Sequence, residues 1–320
     1  MSSHLFDICT LLSYDLNGLA KRDDVVSIVE LYVQATQKAM FTTAFSAAVK
    51  HAQHAEKLIE LSPALKGTEL HENIMLRLIE AEYSSRDYTG AIKHISIFSE
   101  TCKDPYKQLR MYSWWIKCLL AVGQPDKAIR TGFEGLAIVH ITLPWDIEEG
   151  KQQATALQTR MPATEEAFDE LRRLPSMTDA VQLQTQEILA AIFSALYFTR
   201  PQLIPLVVVT AIMHTIEHGI CPTGAYAFVA YALSLPVTEA RIKYAAGRLG
   251  FHFIQQNVDN PIACCIYKVF ASHVQCWVEP LPETIPLLKM AIDIGKKTYN
   301  VEYLVRLLLA LFSLLLFFFF

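Results

Sequence analysis

Glycine is scarce, with 12 in 320 residues. That falls below the roughly 7% of average composition. Strand-and-turn architectures need residues that tolerate positive φ, so their raw material is thin. Charge of one sign is also lacking: 28 basic against 32 acidic residues give a net −4, with no basic stripe. A surface that neutralises phosphates needs such a stripe, which excludes a nucleic-acid partner. Seven cysteines are present, an odd number, and none forms C-x-x-C. Asp7 and Asp15 interrupt the region where a secretory apolar stretch would sit. Reduced, mostly buried thiols in a cytoplasmic protein are the expectation.

The common catalytic signatures are missing as well. There is no G-x-x-x-x-G-K-[ST], no G-x-G-x-x-G and no G-x-S-x-G. Ala121-Val-Gly123-Gln-Pro125-Asp-Lys127 comes nearest to a phosphate loop but lacks the glycine spacing and the hydroxyl. Catalytic residues, cofactor-binding residues and a resident metal or cofactor are therefore all expected to be none.

What the chain does have is apolar residues, 52% of the total, at helical spacing. Val26, Val29, Val33, Ala35, Ala39 and Met40 fall near one face of a helix over Val25–Met40. Ala48, Ala52, Ala55, Leu58 and Ile59 do the same over Ala44–Leu61, and Ile74, Leu78 and Ala81 over Leu70–Tyr83. Such stripes must be buried against one another. The linkers between them are short and polar.

A degenerate repeat runs through the first part. Phe45-Ser-Ala-Ala48-Val49, Tyr88-Thr-Gly-Ala91-Ile92 and Pro125-Asp-Lys-Ala128-Ile129 share a frame: a ring or proline, then alanine and an aliphatic residue. A small residue there lets two antiparallel helices approach closely. This is the logic of tetratricopeptide hairpins, whose regular period is about 34 residues. The fold class expected is all-α, an irregular tetratricopeptide-like array of helical hairpins. Residues 1–145 form a first block of hairpins. Residues 146–180 form a polar connector with a short helix over Glu165–Leu174, and residues 181–305 a second block. Gly219 suits a helix stop after His218.

Residues 306–320 make an apolar tail. Its end, LLLALFSLLLFFFF from Leu307 to Phe320, is shorter than the roughly 20 residues of a spanning helix. Truncation or read-through is the favoured reading of this tail, with a membrane attachment as the alternative.

Several segments together resemble one family. They are His4-Leu-Phe-Asp7-Ile8 with Leu16-Asn17, Ala35-Thr-Gln-Lys38-Ala39 to Ala47-Ala48, and Leu174-Pro-Ser-Met177-Thr178-Asp179. His218-Gly219-Ile-Cys-Pro222 to Ala225-Tyr226-Ala227-Phe228 and, further on, His273, Trp277, Pro280, Leu281, Leu287 and Gly295 continue the series. The family is that of large fungal and bacterial signalling proteins. They join a kinase-like domain, a predicted P-loop ATPase, a long helical region, a GAF domain and often a histidine kinase. The resemblance implies the helical region beside the ATPase, and hence a fragment of a longer protein. Its expected function is a non-catalytic scaffold for protein–protein interaction or signal relay. Its expected partners are ATPase or kinase modules of the same family.

His214-Thr-Ile-Glu217-His218 matches the H-x-x-E-H of inverted zinc peptidases, with two histidines on one helical face, and Glu279 or Glu283 available as a third ligand. The competing reading is a pair of helix-end histidines near the negative end of the dipole. Cys264-Cys265 are expected to face different sides of a helix. His51 and His54 are expected on a solvated face, and Trp114-Trp115 as core plus rim.

Overall fold

The structure is a computed structural model and describes residues 4–298 with Leu304, Leu308 and Leu309. Among the described residues it is all-helical, without a strand; one isolated β-bridge is the exception. Those residues fall into two compact units, one ending at Ile141 and one beginning at Thr142.

The first unit holds α1 (Leu5–Leu12), α2 (Leu16–Leu19), α3 (Val25–Phe41), α4 (Phe45–Leu61), α5 (Glu69–Ser84), α6 (Tyr88–Thr101), α7 (Pro105–Ala121) and α8 (Pro125–Ala137). From α3 onward each helix packs on the next in sequence, and the first helices of neighbouring hairpins, α3, α5 and α7, also touch in series. That is a helical-repeat pattern, with each unit leaning on its neighbours. Ala48, Ala91 and Ala128 are all fully buried near the starts of α4, α6 and α8, where the repeat frame puts them. Tyr32, Leu58, Ile59 and Ile74 belong to a core of fully buried side chains in this unit. Burial of such side chains contributes about 1.5–3 kcal/mol each.

The three hairpins turn in the same way. Thr43, Arg86 and Gly123 take positive φ of 58°, 68° and 75°, each two residues before the second helix starts. The next amide returns to the carbonyl five residues back. These bonds are Ala44 N to Ala39 O at 2.8 Å, Asp87 N to Glu82 O at 2.9 Å and Gln124 N to Leu119 O at 2.8 Å. This left-handed cap satisfies carbonyls that a helix end leaves open. Only the third hairpin has the residue that suits it. Thr43→Gly and Arg86→Gly should each raise stability by about 0.5–1 kcal/mol, because relief of left-handed strain outweighs the added chain entropy. Gly123→Ala should cost about 1 kcal/mol through φ alone, since a Cβ there meets nothing within 4 Å. Urea titration of the three variants checks the opposite signs.

The second unit holds α9 (Ile147–Gln158), α10 (Glu165–Glu170), α11 (Ala180–Thr199), α12 (Ile204–His218), α13 (Pro222–Ser234), α14 (Ala240–Ile254), α15 (Ala263–His273) and α16 (Thr284–Lys297). Helices α11 to α16 pack successively, while α9 lies on α12 and α10 on α14. The stretch read as a polar connector thus contains a full helix, α9. Asp146 starts it by accepting from the amides of Glu148 and Glu149 at 2.9 and 3.0 Å. The expected short helix is present as α10, which tightens into a 3₁₀ turn over Leu171–Arg173.

No helix among the described residues is long and apolar enough to cross a membrane. The tail from Leu307 lies outside the described residues except for Leu308 and Leu309.

Candidate functional site

In the second unit two loops 45 residues apart meet side by side. Gly219 ends α12, its amide donating to Thr215 O at 2.9 Å. Ile220 N then donates to Pro175 O, and Met177 N to Ile220 O, both at 2.8 Å. This makes a parallel bridge between Ser176 and Ile220. Gly219 sits at φ +102°, and a Cβ there would lie 2.6 Å from Pro175 O. Only glycine allows this approach.

Two helices start from the bridge. Asp179 accepts from Gln182 N at 2.9 Å to begin α11. Cys221 Sγ accepts from Gly224 N at 3.3 Å to begin α13. Burial pushes the Cys221 thiol pKa up, against the weaker pull of its hydrogen bonds to Thr223 and Gly224. The thiol is therefore a cap and not an activated nucleophile. Beside the bridge lies a cavity of about 200 Å³, lined among others by Met177, Leu183, Pro222, Phe253, Gln256 and Asn257. No charged side chain lines it.

Behind the bridge is a buried polar network. Gln186 Nε2 donates to Ala211 O and Thr215 Oγ1, both at 2.8 Å, and lies 3.1 Å from His214 Nδ1. On its other side His214 Nε2 meets Gln182 Oε1 at 2.7 Å. Gln182 Oε1 can only accept, so Nε2 carries the proton and Nδ1 is the unprotonated nitrogen. Burial, and then the neighbouring His218, push the His214 pKa down to about 4. The ring is neutral at pH 7.

This arrangement uses up both nitrogens a metal would need. Glu217 and His218 are exposed, and the His214 and His218 rings stand 4.6 Å apart. Glu279 is engaged by Gln275 Nε2 at 2.7 Å and by the Tyr244 hydroxyl. Among the described residues no three His, Cys, Asp or Glu side chains converge on a metal position. His214 is a core histidine, 6% exposed with both ring nitrogens in hydrogen bonds, not merely a helix-end one.

Other expectations change in the structure. His51 is only 9% exposed and stacks on Phe6 at 5.5 Å, and His54 meets the Tyr32 ring at 5.4 Å. Both ring Nδ1 atoms are buried without a partner. Burial pushes both histidine pKa values down. The solvated face of α4 is elsewhere, because Phe6 of α1 covers this end of the array. Cys264 and Cys265 are both buried with their sulfurs 4.0 Å apart, so their rotamers bring them together rather than to separate sides. Trp114 and Trp115 are both half-buried, Trp114 lying 5.1 Å from Tyr83 with the Lys117 ammonium over its ring at 4.3 Å.

Sequence reasoning passed over one cluster entirely. Glu82 in α5 is 1% exposed, and its Oε2 lies 2.8 Å from His94 Nδ1 in α6. His94 Nε2 stands 3.9 Å from Glu56 Oε2 in α4. The hydrogen bond to Glu82 and the two carboxylates hold the His94 pKa above its ordinary value, against its burial. Burial in turn pushes the Glu56 carboxyl pKa up. The cluster ties two adjacent hairpins together. The available signal was a glutamate on the apolar side of α5, next to Ala81.

No protein-family model matches this chain, and no curated protein matches it either.

Proposed function

We propose that this chain is a non-catalytic helical scaffold that binds other proteins and relays their state. The observation that carries this reading is the threefold recurrence of one hairpin, with the same left-handed turn at Thr43, Arg86 and Gly123 and the same buried alanine at 48, 91 and 128. Repeats of this kind expose long ribbons of side chains and bury their apolar stripes against each other. Two of the buried titratable groups are engaged within the fold: His214 with two glutamine amides and Glu82 with His94. The sequence resemblance names the context, the helical region beside the ATPase of a multidomain ATPase–kinase signalling protein.

The test has two parts. Purified chain should release no phosphate from Mg-ATP above a buffer control. It should bind an isolated ATPase or kinase module of the resembling family in a saturable way. Steady turnover by clean protein would reject the non-catalytic reading. Absence of binding to every such module would reject the signalling context.

A further inference from the structure

We infer that α1 is an acid-releasable cover: protonation of His51 and His54 beneath it frees the helix while the hairpins stay folded.

Two rings of α4 lie in the seat of α1. Phe6 stacks on His51 with the ring planes 11° apart, and His54 meets Tyr32 of α3 edge-on. Tyr32 in turn donates to Cys9 O of α1 at 3.0 Å. The Nδ1 atoms of both histidines are buried without a partner. A neutral imidazole can leave one nitrogen as an unused acceptor, but an imidazolium carries a proton on each. Protonation would therefore create a buried donor with no acceptor at each Nδ1, and bury a charge with it.

The charges that act on these rings are positive. Lys50 of α4 acts on His54, and the two histidines act on each other. Lys38 of α3 holds its ammonium 5.1 Å from the Phe6 ring centre, so a charged His51 brings a second cation to that ring. The remaining titratable groups on this side are the Tyr32 hydroxyl, the Cys9 thiol and the exposed His4–Asp7 pair of α1. Helices α2 and α5 and the turn over Pro63–Leu65 also pack on α4, but they add no charge that acts on either ring.

Helix α1 is the element that yields. It has eight residues and packs on α3, whereas α3, α4 and α5 pack on one another. A helix that short does not hold itself in water, so its order depends on this seat. Leu5, Phe6 and Leu12 of α1 lie on the core that holds Val29 and Tyr32, and release bares that core. Burial lowers the pKa of both histidines from the ordinary 6.5. The covered state is thus fully stable above pH 6.5 and loses stability as pH falls below it. At pH 5.5 each ring released to solvent favours the open state by up to about tenfold.

Hydrogen exchange on the full-length chain, corrected for the intrinsic rate at each pH, tests this. Between pH 7.5 and 5.5 the opening of the α1 amides should increase about tenfold or more, while the amides of α4 and α5 stay protected. His51→Phe combined with His54→Phe keeps two rings in the seat without a nitrogen to protonate, and should abolish the increase. Should the double variant fail to fold, each single variant should show a smaller increase than the wild type. An increase that is absent in the wild type, or undiminished in the Phe variants, overturns the proposal. Opening of α4 and α5 to the same extent as α1 overturns it too.

Discussion

His94→Ala is expected to cost the first unit about 3–5 kcal/mol, the range for stranding one member of a buried ion pair. The loss is large because Glu82 is 1% exposed and its hydrogen bond to His94 at 2.8 Å is what compensates its burial. A whole domain is stable by about 5–15 kcal/mol, so the variant should approach unfolding at 37 °C. Glu82→Leu combined with His94→Ala should recover most of the loss, because the stranded carboxylate is then gone. The pH dependence has a definite sign. The folded His94 pKa is raised above its ordinary value of 6.5. The stabilisation from its proton is complete below pH 6.5 and is lost as pH rises through the folded value. Burial lowers the pKa of His51, His54 and His71, which therefore oppose that slope. The informative quantity is thus the difference in melting temperature between wild type and His94→Ala. It should be widest just below pH 6.5 and shrink toward alkaline pH. A difference that does not change with pH would mean that His94 packs there as a neutral ring.

Gly219→Ala is expected to act as strongly in the second unit. At φ +102° and ψ 175° the backbone occupies a region that is essentially glycine's alone. The added Cβ would lie 2.6 Å from Pro175 O and 3.1 Å from Met177 N, which are backbone atoms and cannot rotate away. Strain of about 1–3 kcal/mol combines with the loss of both bridge hydrogen bonds. Amide exchange reads this locally and does not require the two units to unfold together. The amides of Met177 and Ile220 should exchange roughly a hundredfold faster, the equivalent of about 2.7 kcal/mol. Those of α4 and α5 in the first unit should not change.

The elements could be read from the sequence because their apolar spacing is strong. The stripe Ala48, Ala52, Ala55, Leu58 and Ile59 is buried throughout. In α3 the stripe is rotated from its expected position. Val26 is 41% exposed, while Ile28, Tyr32 and Thr36 are buried with Val29, Ala35 and Ala39. Tyr32 was hidden from a count of aliphatic residues, because its ring packs inward while its hydroxyl finds Cys9 O at 3.0 Å. Helix α9 was hidden by its polarity. Its buried residues are Gly150 and Ala154, too small to register as a stripe.

The candidate site was less legible, for a physical reason. Gly219 announced a helix stop, but nothing local announces that Pro175–Met177 runs beside Ile220, since pairing between segments 45 residues apart leaves no periodic trace. Polar groups misled in both directions. His214 resembled a metal ligand because spacing cannot reveal that Gln182 and Gln186 occupy its two nitrogens. Glu82 was passed over because a glutamate is seldom buried unless it is paired, and its partner lies on the next helix.

The central claim, an array of hairpins that binds proteins without chemistry of its own, is tested most directly by hydrogen exchange on the full-length chain with and without an ATPase module of the resembling family. The expected result is slower exchange on a continuous set of helices, saturating with module concentration, in the presence and absence of Mg-ATP alike. Exchange unchanged by every module, or a module-independent change on adding Mg-ATP, would contradict it.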